Sequence, residues 1–312
     1  MTASKQNLTA RRTAPDGFIV VAVLWILGAL GALVSIYAVY VINSAAAFAA
    51  YDDHLRAEAL VSAALELTAY QQQNAPALSR PTHGQFNFRL GQANVAVEFL
   101  SETARIDLNA APKQLLVGLF RALGTPPDDA DIYGDRVIGW RTAPSINQES
   151  ENSAYRMAGL GYQPRGAKFP HVDELSLVRD LPPALVQRAL PFVTVYSGRP
   201  EVDVLDAAPE VIGALPGMTR DRLNAFLTQR VASPGNAEIL LPLLKDAQQY
   251  ATIEGSKALR IKVRIVFDDG HQESSEVVIQ IFDQGDQPFA VLSWCSELNA
   301  LATDNGPWTQ LR

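Results

Sequence analysis

The sequence is poor in the residue types that build catalytic and metal centres. Its 312 residues include one cysteine, Cys295, which cannot close an internal disulfide. Cys295 lies in a strand-like run without a Cys/His signature, so we expect a packed thiol and not a nucleophile. The four histidines are His54, His83, His171 and His271. They lack metal-ligand spacing and are interpreted as surface or capping residues. There is no glycine-rich phosphate loop and no G-x-S-x-G motif, so the sequence argues against an enzyme.

Positive charge is also scarce. Lys and Arg number 26 against 33 Asp and Glu, a formal net charge of −7. A nucleic-acid partner requires neutralisation of phosphates, so this balance argues against one.

One stretch has no charge at all. Residues 18–51 contain no charged side chain, and residues 18–42 are almost wholly apolar. At about 1.5 Å per residue, that run can cross a hydrocarbon core of ~30 Å. Three interpretations stay open: a removable secretory signal, a plain signal anchor, or a leader (residues 1–17) that is cut off on the cytoplasmic side.

The pattern after residue 51 predicts an α+β fold. Helical spacing of apolar residues continues to Asn74-Ala75-Pro76, so we expect one transmembrane and stalk helix over residues 18–75. Alternating runs predict strands at residues 85–90, 93–99, 259–267, 275–282 and 289–294. We assign them to one antiparallel sheet, built from residues 83–104 and 256–296, with a mainly helical insert between them.

The insert contains an internal repeat. Asn109-Ala110-Ala111-Pro112 recurs as Asp206-Ala207-Ala208-Pro209, each after a short β-like stretch. We expect Asn109 and Asp206 to be helix N-caps, and we divide the insert into subdomains at residues 105–198 and 199–250. Residues 215–219 resemble a helix-hairpin-helix turn, which we interpret as packing and not DNA binding. Asp173 is predicted to cap a further helix.

The N-terminus resembles the prepilin-type leader of type IV pilins and type II secretion pseudopilins, because Gly17 and Phe18 precede the apolar helix. The resemblance implies cleavage after Gly17 by a prepilin peptidase, methylation of Phe18 and packing of the helix into a filament. The family usually has Glu where this chain has Ala22. Its loss either weakens the resemblance or indicates a subunit with nothing above it.

Downstream, the ordered segments RIDLNAAP, VIGW, HVDELSLV, PFVTVYSG and VDVLDAAP are similar to the general secretion pathway protein K family. The resemblance implies a pilin-like helix and sheet carrying an α-domain of two SAM-like or helix-hairpin-helix-like repeats. It also implies a non-enzymatic minor pseudopilin that caps the pseudopilus tip and starts its assembly for export of folded proteins. Its partners would be other minor pseudopilins and the major pseudopilin, with one pass through the inner membrane and the bulk in the periplasm. The alternative is a membrane-anchored periplasmic scaffold or binding protein.

The residues expected to contact partner helices are Ala22, Leu27, Leu30, Val34, Tyr37, Val41 and Phe48.

The family resemblance also suggests a calcium-binding site in the loop after Trp140. Thr142 and Pro144 stand at two positions where the family has Asp. A weaker site could use Glu149, Glu151, Asn152 and Asp173. An ordinary solvated loop without metal is the other interpretation.

Overall fold

A computed structural model of the chain describes residues 16–76, 80–143 and 149–297. The leader residues 1–15 and residue Pro144 lie outside the described residues. So do the side chains of residues 16–18, 45–50 and 149–150. Contacts divide the chain into two units, residues 1–58 and 59–312.

The described part of the first unit, residues 16–58, is helical. Helix α1 (Asp16–Asn74) has 59 residues and passes into the second unit. Its segment Ile19–Ser44 has a mean hydropathy of 2.7 and is long enough to span a membrane. Apolar side chains along this segment, such as Trp25 and Ile36, are exposed. The predicted long N-terminal helix is therefore confirmed.

In the second unit, the last turns of α1 have one buried face. Val61, Ala64, Leu65 and Ala69 follow helical spacing and are buried. The Gln73 side-chain amide donates to the carbonyl oxygens of Phe282 and Pro288, at 2.9 and 3.3 Å. These bonds join the end of the helix to the segment that connects the last two strands of the main sheet.

The strands are β1 (His83–Leu90), β2 (Ala93–Ser101), β3 (Ile106–Asp107), β4 (Val193–Thr194), β5 (Val202–Asp203), β6 (Ala251–Thr252), β7 (Ala258–Phe267), β8 (Gln272–Ile281) and β9 (Phe289–Glu297). The main sheet is antiparallel throughout, in the order β1-β2-β7-β8-β9. Because β2 pairs directly with β7, everything between them is an insert in the sheet. The predicted antiparallel sheet is thus confirmed.

Buried and exposed residues alternate along the strand β2, so that one face of the main sheet is buried. In β2, Val95, Val97 and Phe99 are buried while the residues between them are exposed. Gly270, at φ +89°, closes the predicted β7–β8 turn. The expectation of a packed Cys295 is wrong: its thiol is exposed, because it lies in β9 at the edge of the sheet.

The helices of the insert are α2 (Lys113–Ala122), α3 (Pro127–Arg141), α4 (Glu149–Met157), α5 (Pro183–Ala189), α6 (Pro209–Gly213), α7 (Arg220–Ala232) and α8 (Ala237–Leu240). Buried apolar residues from both halves form one contiguous core, with Phe120 and Tyr155 from the first half and Phe226 from the second. Helices α2 and α6 approach so closely that a Cβ on Gly118 would overlap the Ala214 carbonyl oxygen.

Each half of the insert begins with a two-residue parallel bridge. Strand β3 pairs with β4, and β5 pairs with β6. After each bridge the chain turns on an aspartate. Asp107 Oδ1 accepts from the backbone N–H of Asn109 at 2.7 Å, and Asp203 Oδ1 accepts from that of Leu205 at 2.9 Å. The sequence repeat is therefore a repeat of structure as well.

The predicted helix caps are wrong. The N-cap residues of α2 and α6 are Pro112 and Ala208, which have no side-chain oxygen to accept the hydrogen bond. The Asn109 side chain bonds instead to the backbone of Phe169, at 2.7 and 2.9 Å. The Asp206 side chain contacts Thr82 and His83.

Asp173 is not a cap either. His171 caps the short 3-10 segment Val172–Leu177, and its Nδ1 accepts from the Asp173 backbone N–H. A side chain that accepts from an N–H two or three residues later must precede the helix, and Asp173 is already inside it.

Candidate functional site

The predicted partner face of α1 is apolar and uncovered. Leu27, Leu30, Val34, Tyr37 and Val41 repeat at intervals of three and four residues and are between 44% and 66% exposed. That spacing places them along one side of the helix. Ala22 is half-buried, and the side chain of Phe48 is not described. Gly17 and Phe18 lie in the first turn of α1, with their side chains outside the described residues.

The candidate calcium residues are not gathered around one point. The Glu151 carboxylate is held by the Arg136 guanidinium, at 2.8 and 3.0 Å. Asn152 is half-buried on α4, and Asp173 is exposed and pairs with His171 at 3.1 Å. The Glu149 side chain is outside the described residues. Within the described ranges, no group of three or more His, Cys, Asp or Glu residues could hold a metal ion.

The tryptophan and tyrosine that flank this loop pack together. Trp140, Tyr155, Tyr162 and Phe169 form an aromatic cluster with ring centroids 5.9–6.3 Å apart. The Tyr155 hydroxyl accepts from the Arg179 backbone N–H at 2.8 Å.

Two arginines, which the sequence analysis did not single out, complete the repeat. At the end of α3, Arg141 donates to the carbonyls of Leu108 and Ala111. Near the end of α7, Arg230 donates to those of Val204 and Ala207. Burial lowers the pKa of both guanidiniums. Each arginine ties its helix to the turn that follows the corresponding bridge. The signal that could have found them is a basic residue in the last turns of the helix after each repeat.

A buried ionic network joins the main sheet to the insert. Glu102, which follows β2, is completely buried, and Arg260 of β7 donates to its two oxygens at 2.8 and 3.2 Å. The Thr194 hydroxyl of β4 donates to the same carboxylate. Arg260 also donates to Glu276 of β8. One carboxylate therefore connects strands of the sheet to a strand of the insert.

Arg105 lies beside this network. It is 8% exposed, and burial, together with the positive charge of Arg260, lowers its pKa to about 10. It therefore remains charged at neutral pH.

A second polar cluster lies where β1 meets the insert. Asp206 accepts from the Thr82 hydroxyl, and its Oδ1 is 2.8 Å from His83 Nδ1. The hydrogen bond to Asp206 raises the pKa of His83. Asp203 is fully buried with its Oδ2 lacking a partner, and burial together with the Asp206 charge raises its pKa to about 7. Asp203 therefore takes up a proton near neutral pH.

A cavity of about 140 Å³ opens between these two clusters. It is lined by Leu100, Ala104, Arg105, Pro191, Phe192, Asp206, Ala207, Ala208, Pro209, Val211, Leu227, Arg230 and Val231. The walls thus come from the end of β2 and from both halves of the insert.

The fold defines a class. It is an α+β protein with a long apolar N-terminal helix, an antiparallel sheet, and a helical domain inserted between two neighbouring strands of that sheet.

Comparison with known proteins gives the family. Residues 94–198, from β2 through the first half of the insert, match the family of the type II secretion system (T2SS) protein K. A chain of the crystal structure of the GspK-GspI-GspJ complex from the enterotoxigenic Escherichia coli T2SS has a similar fold, with a TM-score of 0.59 at 18% identity. The similarity covers 80% of this chain and 99% of that chain. No curated protein matches the chain.

The resemblance to the T2SS protein K family that the sequence predicted is thus confirmed by the family match over residues 94–198. Members of this family are minor pseudopilins. Because they are structural subunits, the prediction of a non-enzymatic chain is also confirmed.

Proposed function

We propose that this protein caps the tip of a type II secretion pseudopilus and initiates its assembly together with other minor pseudopilins. The observation that carries the proposal is the family match of residues 94–198, which include the first half of the insert. A domain of this size, inserted between β2 and β7, is too bulky to let another subunit stack above it. Ala22 supports the same position, because a terminal subunit needs no buried acid to pair with a subunit above.

The partners in this proposal are two other minor pseudopilins, the major pseudopilin and a prepilin peptidase. The crystallised relative forms a complex with GspI and GspJ, which supports partners of that kind. The uncovered apolar face of α1 offers a surface for their helices. In the proposal, α1 is held in the inner membrane and the sheet and insert lie in the periplasm. The two halves of the insert would be SAM-like repeats.

N-terminal processing tests the proposal. Co-expression of the full chain with a prepilin peptidase should give a mature protein that begins at methylated Phe18. The Gly17→Val variant should keep its leader. N-terminal sequencing and intact mass distinguish the outcomes, and a wild-type chain that still begins at Met1 would contradict the proposal.

Position in the filament is tested separately. Gold labelling of sheared pseudopili should mark one end of each filament. Labels spaced along the filament would contradict tip capping. Normal secretion in a deletion strain would favour the membrane-anchored scaffold instead.

Calcium in the loop after Trp140 stays a prediction that the described donors do not favour. The Glu151 charge is already balanced by Arg136, and Thr142 uses its hydroxyl to bond the Ile138 carbonyl at 2.6 Å. Calcium prefers six to eight oxygen ligands, several of them carboxylates.

A further inference from the structure

Arg105 has a buried guanidinium without a counterion of its own. The residue is 8% exposed, and its backbone N–H donates to the Glu102 carbonyl at 3.2 Å. Among the residues that the structure describes, its side chain makes no hydrogen bond or ion pair. A guanidinium has five N–H donors, and because Arg105 lines the cavity, they are available to a ligand there.

The nearby carboxylates are already engaged. Both oxygens of Glu102 accept from Arg260, and Glu276 also accepts from Arg260. Lys262 adds a further positive charge close to Arg105. Arg105 therefore shares these carboxylates with Arg260 and Lys262 and has none that bonds to it alone among the described residues.

The cavity lies at this point. Arg105 and Arg230 both line it. The acid in its wall, Asp206, is paired with Thr82 and His83, and its charge also acts on Arg230, so Arg105 is the lining cation without an acid bonded to it. The rest of the lining is mostly apolar.

We propose that this cavity binds a small carboxylate. The carboxylate group contacts Arg105 and Arg230, and a short alkyl chain packs against Leu100, Phe192 and Leu227. Charge-assisted bonds from guanidinium to carboxylate are among the strongest hydrogen bonds in proteins. The ligand is either a free short-chain acid or the carboxylate at a peptide C-terminus. The inference goes beyond filament assembly and does not depend on it.

Binding is measured on the full-length chain in a non-ionic detergent. Butyrate represents the free acid and N-acetylvaline the peptide terminus. Butyramide and N-acetylvaline amide are the neutral controls, and sodium chloride keeps the ionic strength constant. Titration calorimetry should show saturable binding of at least one carboxylate and of neither amide. The carboxylate with the lower Kd identifies the class of ligand: a free acid if it is butyrate, a peptide C-terminus if it is N-acetylvaline.

Two variants test the site. Arg105→Gln should raise the Kd of the carboxylate at least ten-fold, whereas Arg121→Gln, an exposed arginine outside the cavity, should leave it unchanged. The melting temperature of Arg105→Gln without ligand should not fall, because a charge without a partner is removed. If that variant does not fold, saturation-transfer NMR of butyrate on the wild type decides instead. Absence of saturable binding, or equal binding by butyramide, overturns the proposal.

Discussion

Replacement of Glu102 by Gln should destabilise the protein more than any other single change in the ionic network. The carboxylate is completely buried and accepts three hydrogen bonds, two from Arg260 and one from Thr194. The substitution keeps the shape but removes the charge, which leaves Arg260 and Arg105 with Glu276 as their nearest anion. Breaking a buried ion pair from one side costs about 3–5 kcal/mol, and we expect a loss of about 3 kcal/mol because the amide oxygen still accepts one bond.

Thermal unfolding of the full-length chain in detergent, followed by near-UV circular dichroism, measures this loss. Glu98→Gln is the matched control, because Glu98 is exposed on β2 and its replacement should cost under about 0.5 kcal/mol. In the Glu102→Gln background, Arg105→Gln should recover about 1 kcal/mol by removing one excess charge. Equal effects of the Glu102 and Glu98 substitutions would refute the reasoning, as would no recovery in the double variant.

Three further predictions concern close packing, pH and calcium. Gly118→Ala should cost about 2–3 kcal/mol because its Cβ overlaps the Ala214 carbonyl. Gly139→Ala should instead gain up to ~1 kcal/mol, because its Cβ meets only the Glu151 side chain, at an ordinary van der Waals distance of 3.6 Å; urea titration compares the two variants. The pKa of Asp203 in the folded protein, about 7, lies above its usual value. The stability of the fold should therefore fall as pH rises from about 4 to 7, by roughly 2 kcal/mol between pH 5 and 7. Asp203→Asn should remove that pH dependence in melting curves. Melting temperatures in EGTA and in millimolar calcium should agree, since the Glu151 charge is already balanced; a rise of several degrees with calcium would contradict this.

The sequence predicted those parts of the fold that depend on local pattern. The Asp268-Asp269-Gly270 turn between two alternating runs indicated the β7–β8 hairpin, and Gly270 indeed needs its positive φ. The length of the apolar run indicated α1. The position of the insert followed because strands occur at both ends of the region after α1.

The remaining features depend on contacts between distant residues. The local signal of Arg141 and Arg230, a basic residue near a helix end, does not identify their partners, since each bonds carbonyls more than twenty residues away in the chain. The exposure of Cys295 depends on which strand lies at the edge of the sheet. The residues beside Cys295 in the sequence do not indicate which strand that is. The prediction that Asn109 caps α2 was wrong because Pro112 occupies the N-cap position. Asn109, three residues earlier, bonds instead to the backbone of Phe169.

The central claim is that α1 assembles beside the helices of other minor pseudopilins through the face containing Val34. Val39 is a matched control, because five residues correspond to a rotation of about 140° around the helix, and both valines are exposed. Tryptophan keeps either position apolar, so membrane insertion should be retained. Co-purification of the full chain with two other minor pseudopilins from detergent-solubilised membranes is the measurement. Val34→Trp should lose most of the complex while Val39→Trp retains it. Equal recovery of the complex with both variants would contradict assembly through this face.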